Sequence, residues 1–425
     1  MRTNKKYSNV CGIAKCCVLL ATLSVGCGND YHEQVWSQRF DSLNESCGTD
    51  VAIDGAGDIV VVGTYKRSLN IGGDDLPTAN GGALFLAKYN SDGVNVWSRQ
   101  LTTEDGTPQM AVDDEGNIFV SVRFGPSVTL EGSTHTSTGT FDILLVKLSG
   151  SGDVLWSKSF GGSSSDFALE LATVERDVVV AGFFREVSSF GGESLVSAGS
   201  SDGFVVRLDP EGEHVWSTSY GGSGSDRPRS LAVSVNGAVS VSGIFEGNIE
   251  TAEFDGAHVV NTYSSDGALD NSWAIPGPAR LVAWDSVGQD LFFAGEVEYP
   301  IALAAGRGEL SGKFLSRIGA DGDVIWQSKA DDRDWRDIVV DDQDRVHLVS
   351  DTVIGSGDGR FVWLTSFDAN GKKLGTSEVW DSLGGARVTA VAAGLDGRVV
   401  VTGCAYDDKV FGNDESFFLS ALRTP

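Results

Sequence analysis

The chain has 425 residues, 41% of them hydrophobic and 54 of them glycine, with a formal net charge of −27. That composition describes a folded, turn-rich chain rather than a disordered one, and beyond the N-terminus no run reaches the ~18 apolar residues a spanning helix needs. The acidic balance repels nucleic acid and anionic lipid head groups, and it favours solubility, cationic partners or metal ions.

Residues 1–26 hold Arg2, Lys5, Lys6 and Lys15, no acid, and an apolar run from Cys16 to Val25. A basic start, a short hydrophobic core and a small residue at the end are the marks of a secretory signal peptide. The ending Leu23-Ser24-Val25-Gly26-Cys27 resembles the lipobox of bacterial lipoproteins, with Ser24 where the family's usual Leu stands. The resemblance implies cleavage before Cys27 and acylation of Cys27, palmitate included. Ordinary cleavage is the alternative. Gly28 follows instead of the Asp that retains such proteins in the inner membrane. The resemblance therefore implies an outer-membrane lipoprotein facing the periplasm or the cell surface, with residues 27–32 as a tether and 33–425 as the domain. Without residues 1–26 the chain carries 28 basic against 59 acidic residues, a net charge of −31.

From there one phrase recurs. Trp36, Trp97, Trp156, Trp216, Trp273, Trp326 and Trp380 follow one another at intervals of 53–61 residues, most of them preceded by a glycine turn such as Asp92-Gly93 or Glu211-Gly212. A fixed period of that length is one structural unit repeated. Each unit divides into four apolar runs separated by turns. The first run recurs as Val51-Ala52-Ile53, Met110-Ala111-Val112, Leu171-Ala172-Thr173, Leu231-Ala232-Val233, Val282-Ala283-Trp284, Ile338-Val339-Val340 and Val391-Ala392-Ala393. Ala at the middle position in six of seven units implies crowding near an axis. The second run often ends in glycine: Gly63, Gly182, Gly243, Gly295, Gly403.

Seven four-stranded units predict an all-β fold, a seven-bladed β-propeller of antiparallel blades; a β-solenoid is the competing repeat architecture. Residues 33–40 supply a fourth run with nothing before it, and residues 386–425 supply three runs with nothing after them. The N-terminal strand is therefore expected to complete the last blade and remove the open edge. The tryptophans are expected to pack in the outer strands as structural staples.

Two units carry a fuller signature, Phe160-Gly161-Gly162-Ser163-Ser164-Ser165-Asp166 and Tyr220-Gly221-Gly222-Ser223-Gly224-Ser225-Asp226. Followed by an apolar strand, a glycine turn and a strand ending in glycine, this resembles the bacterial SBBP repeat, a seven-bladed propeller repeat of exported and cell-surface proteins. The resemblance implies the fold and adds little about chemistry. The turn-then-Trp pattern is also similar to the repeats of pyrroloquinoline-quinone dehydrogenases and of the propeller lipoprotein of outer-membrane assembly. No quinone-site cluster can be matched residue by residue.

Motifs that carry chemistry are scarce. His32, His135, His214, His258 and His347 fall in different elements without metal-ligand spacing. There is no Gly-x-Ser-x-Gly elbow, no phosphate-binding Gly-Lys-Ser/Thr and no Asp-x-Asp-x-Asp-Gly calcium loop. The Gly-Gly-Ser segments read as linkers between blades. The acid pairs Asp113-Asp114 and Asp341-Asp342 read as solvated turn residues. No catalytic residue, metal ligand or cofactor is predicted.

One constellation remains. Aligned on the first run, Arg229, Arg280 and Arg336 take the same place in consecutive units, with Arg387 two residues earlier in its own. Together they would form a positive arc at one mouth of the central channel, suited to a carboxylate, a phosphate or a uronic-acid sugar; the competing expectation is local pairing with nearby Asp. Cys11, Cys16 and Cys17 leave with the signal peptide, and Cys47 and Cys404, in the units flanking the closure, are candidates for one disulfide.

The functional expectation is a lipid-anchored, non-enzymatic binding or interaction module, monomeric, with an unidentified protein or glycan partner. A propeller lyase or quinone-dependent dehydrogenase and a structural envelope-assembly lipoprotein are the alternatives. The fold alone does not choose between them.

Overall fold

The computed structural model describes residues 31–40, 45–102, 106–246, 257–275, 279–302, 309–319, 323–329, 333–353, 360–380, 385–406 and 415–425. The signal peptide and Cys27 lie outside these residues.

The strands form seven four-stranded antiparallel blades, a seven-bladed β-propeller. The inner strands are Ser46–Ile53, Gln109–Val112, Phe167–Val174, Arg227–Val233, Ala279–Trp284, Asp334–Val340 and Ala386–Ala393, for blades 1 to 7. Each packs on the next around the ring, and that of blade 7 packs on that of blade 1. Blade 7 takes Glu33–Phe40 as its outer strand, paired antiparallel with Glu415–Arg423 from Glu33↔Arg423 to Phe40↔Phe417. The expected closure by the N-terminal strand is the one observed. Blade 2 is widened by two short strands from the long loop of blade 3, Val187–Ser189 and Leu195–Val196, laid against its outer strand.

There is one hydrophobic cluster at each blade interface, so the core is a set of seams rather than a single centre. Alternation along the inner strand explains the repeated alanine. Val51 faces blade 7, packing with Ala390 and Ala392, while Ala52 faces blade 2 with Met110 and Val112. The small residue is required where one inner strand lies against the next, not where it faces open channel.

Six inner strands share a bulge, which leaves Thr49, Leu169, Arg229, Arg280, Arg336 and Thr389 unpaired in their ladders. A bulge bends a strand and re-aims its side chains. The glycines that end the second strands stand opposite it, in pairs such as Ala168↔Gly182 and Val388↔Gly403. A Cβ on Gly182 would collide with the Phe167 carbonyl and come 2.7 Å from the Phe204 ring.

The tryptophans join blades. Trp36, Trp97, Trp156, Trp216 and Trp326 each donate the indole N–H to a carbonyl in the hairpin turn of the following blade: Ser91, Gly150, Pro210, Ser265 and Ala369, at 2.8–3.2 Å. Cations on the third strands of blades 2, 3 and 5, namely Lys147, Arg207 and Arg317, donate to three of the same carbonyls. These cations also hold the turn acids of their own blades. Lys147 lies 3.6 Å from Asp113, Arg207 2.7 Å from Asp177, and Arg317 2.7–3.0 Å from Asp290 and Asp285. Asp113 and Asp341 are thus buried, at 3% and 4% exposure, and are not the solvated turn residues expected. A charge used to anchor a turn has to leave water, and these do so only because each gains a cation and backbone donors.

Candidate functional site

The bulges place the predicted arginines. Arg229, Arg280 and Arg336 occupy the same backbone position at one end of the channel, as their alignment required, and Arg387 lies one pair nearer the strand end, opposite Cys404. The Arg280 side chain lies outside the described residues, and the other three diverge in role. Arg336 forks Asp351 of its own blade through Nε and Nη2, at 3.0 and 2.9 Å. Asp351 was not among the neighbours that sequence proximity suggested. Arg229 and Arg387 are exposed, and neither has a charged or hydrogen-bonding side-chain partner among the described residues.

The residue just after the bulge was missed by sequence reasoning. It is Asp50 in blade 1, Glu170 in blade 3 and Asp337 in blade 6. Asp50 accepts the amides of Val51 and, across the seam, Met110, both at 2.8 Å. Asp337 does the same for Ile338 and Val391, at 2.8 and 2.9 Å. In blade 4, Ser230 Oγ accepts the Val282 amide at 3.2 Å. An inner strand has an unpaired ladder edge, and these side chains satisfy its donors from the neighbouring blade.

Glu170 is one methylene longer than the aspartates and has no such bond among the described residues. Burial, and then the nearby charges of Asp337 and Asp50, push its carboxyl well above the usual range. Blades 1, 3 and 6 do not adjoin, so these charges act on one another across the axis of the ring. Burial raises Asp50 to about 7, with Asp337 adding to it, and raises Asp337 to about 6. The channel therefore has an arginine rim and, one residue deeper, a throat of carboxyls that tend to hold protons.

Rings and guanidiniums share the rim's end of the barrel of strands. Arg123 lies over Phe141 at 4.6 Å and over Phe167 at 5.6 Å, Phe167 stacks on Phe183 at 4.7 Å, and Arg227 caps Phe183 at 4.5 Å. Phe141 and Phe167 remain partly exposed.

Two histidines expected to be unrelated converge on blade 6. His347 Nε2 is 3.1 Å from Asp341 Oδ2, its Nδ1 is 2.7 Å from Ser366 Oγ, and the same hydroxyl is 2.7 Å from His32 Nε2. His32 also meets Ser377 through its backbone N–H and Nδ1, each at 2.9 Å. The residue expected to end a free tether is therefore buried in the ring. Burial, then the neighbouring His347 and Arg345, lower His32 to about 3. Burial alone would raise Asp341, but hydrogen bonds from His347 and Arg345 hold it at about 2. The Asp–His–Ser order matches that of an acyl-transfer triad. Ser366 and His347 are wholly buried, however, and a nucleophile needs a path to substrate.

Cys47 on the inner strand of blade 1 and Cys404 on the second strand of blade 7 are bonded to each other, with their Cα atoms 4.7 Å apart. They link the two blades that flank the closure.

No family model matches the chain. A stretch of 150 residues is 29% identical to the regulatory protein FlaEY of Caulobacter vibrioides; it covers 34% of this chain and 15% of that protein. Among solved structures, the acylaminoacyl peptidase of Pyrococcus horikoshii is similar at a TM-score of 0.50 and 12% identity, over 89% of this chain and 52% of that one. U3-55K is similar at 0.50 and 7%, over 90% and 98%. The Dos1 propeller superposes at 0.49 and 8%, over 92% and 95%. At such identities the likeness speaks for the fold alone.

Proposed function

We propose that this chain is a non-enzymatic binding module, exported and held to the outer membrane through acylated Cys27, whose channel rim binds an acidic glycan. The observation that carries the reading is the pair Arg229 and Arg387: exposed, on the channel-mouth ends of their inner strands, without charged partners among the described residues, on a chain of net charge −27. A guanidinium kept out of local pairing retains its planar fork for a carboxylate from outside. The partly exposed Phe141 and Phe167 on the same end offer an apolar face for a sugar ring, and loops on a rigid scaffold are where binding usually resides. Above about pH 7, where Asp50 and Asp337 ionise, the throat carboxyls set the depth: an anion gains from the rim and loses by going further, so the ligand rests on the mouth. Binding is favoured over catalysis because, among the described residues, the Asp341–His347–Ser366 array is sealed inside blade 6.

The test is a glycan array probed with the full mature chain. Binding to uronic-acid glycans over their neutral counterparts is expected, with at least a tenfold loss in the Arg229→Glu, Arg387→Glu double variant and a steep decline with salt. Equal binding by the double variant sinks the reading. Arg336 is the wrong residue to reverse, because its loss would strand Asp351.

A further inference from the structure

We infer that the seam between blades 2 and 3 holds a calcium ion, bound by Asp142, Asp166 and the Ser188 hydroxyl. Two copies of one motif differ in how their buried oxygens are satisfied. In both signature repeats a glycine lies between two buried aspartates. A Cβ at Gly161 would fall 2.7 Å from Asp142 Oδ1 and 3.0 Å from Asp166 Oδ2; one at Gly221 would fall 2.6 Å from Asp226 Oδ2 and 2.9 Å from Asp202 Cγ. Both glycines also have φ near +155° (+157° and +154°), which side chains disfavour. The motif thus requires glycine because two carboxylates occupy the space a side chain would fill.

At the seam between blades 3 and 4 every carboxylate oxygen of the pair has a donor. Asp202 accepts Ser197 Oγ at 2.7 Å and the Ala198 amide at 3.1 Å; Asp226 accepts the Gly222 and Glu246 amides at 2.9 and 2.8 Å. The equivalent pair at the seam between blades 2 and 3 is only half satisfied. Asp142 Oδ2 accepts the amide and hydroxyl of Thr138, both at 2.9 Å, and Asp166 Oδ2 accepts the Gly162 amide at 2.9 Å. Oδ1 of each is buried with no hydrogen-bond partner.

A third oxygen joins them. Ser188 stands opposite Gly162 in the extra strand, is 1% exposed, and lies close enough to Asp166 to favour its charged form, yet outside hydrogen-bonding geometry. Buried oxygens are costly to leave unmatched. Two carboxylates and a hydroxyl are hard donors with a combined charge that a divalent cation cancels. Calcium accepts such irregular oxygen sets, whereas magnesium demands a stricter geometry and keeps its water.

The experiment is equilibrium dialysis of the chelator-treated full chain against ⁴⁵Ca²⁺, with thermal unfolding in parallel. One ion per chain is expected, with a rise of several degrees in Tm. Asp142→Asn and Asp166→Asn should each abolish binding and the rise, Ser188→Ala should weaken binding several-fold, and Asp202→Asn should keep the ion. Circular dichroism reports whether the variants fold; if the Asn variants do not, Ser188→Ala decides. The inference is overturned if the wild-type chain binds no stoichiometric calcium, if binding survives Asp166→Asn or is untouched by Ser188→Ala, or if Tm responds to pH near 6 and not to calcium, since the pair would then share a proton.

Discussion

The indole of Trp156 and the turn glycine Gly212 meet across a blade boundary: Trp156 Nε1 donates to the Pro210 carbonyl at 3.0 Å, and a Cβ on Gly212 would stand 2.9 Å from the Trp156 ring. The glycine turn and the tryptophan that punctuate the repeat are therefore partners, but the glycine meets the tryptophan of the blade before, as Gly93, Gly152, Gly212, Gly267 and Gly371 do among the described residues.

Gly212→Ala is expected to destabilise the chain by about 1–3 kcal/mol, since φ at Gly212 is +75° and the new methyl meets the indole. Trp156→Phe, which loses the N–H bond and some packing, should cost about 1 kcal/mol or more. Because the two residues touch, the double variant should fall short of the sum. Urea denaturation of the three variants measures the coupling.

The throat carboxyls predict stability that declines with rising pH. A carboxyl raised in the folded state contributes stability fully present below its unfolded value near 4, which is lost as pH rises through the folded value, about 6 for Asp337 and about 7 for Asp50. Glu170, raised further, continues the decline. Glu170→Gln should be more stable than wild type at pH 8, with the gap closing by pH 5. Denaturation midpoints across pH 5–8.5 test it; a variant less stable at every pH would refute the cross-channel repulsion.

His32 predicts the opposite sign. Its folded value near 3 lies below the unfolded value near 6.5, so its contribution is complete above about pH 6.5 and is lost as pH falls, by up to about 1.4 kcal/mol per pH unit. His32→Gln should be less stable than wild type at pH 7.5, from the lost bonds to Ser377 and Ser366, and should show a shallower decline between pH 6.5 and 4.5.

Cys47 and Cys404 predict no free thiol between them in denatured, unreduced mature chain. Reduction should lower stability by about 2–4 kcal/mol, the range typical of a disulfide. A thiol count with and without reductant on residues 28–425, which exclude Cys27, decides the pairing, and two free thiols without reductant would remove it.

The repeat made the architecture legible before any coordinates. Each unit's strands pair with neighbours in sequence, so turn glycines, alternating apolar runs and an even spacing of Trp36 to Trp380 carried blade count and closure in local signals. The shared position of Arg229, Arg280 and Arg336 was legible too, since it needed only the phase of the repeat; the bulge found there was not. Their chemistry was not. Whether a guanidinium is free or spent depends on what another strand brings within 3 Å, as Asp351 does for Arg336 and nothing among the described residues does for Arg229.

The same divide separates the remaining findings. Asp50, Glu170 and Asp337 look like ordinary strand-edge acids until the ring brings non-adjacent blades together at one axis. His32 and His347 are 315 positions apart and share a hydroxyl only because the first strand returns to the last blades. Asp142 and Asp202 are the same residue in the same motif, and only three-dimensional surroundings leave one of them with an unmatched oxygen. Period and turn chemistry are written along the chain because they act over a few residues. Charge state, pairing and the satisfaction of buried oxygens act through space, and so were decided by the closed ring.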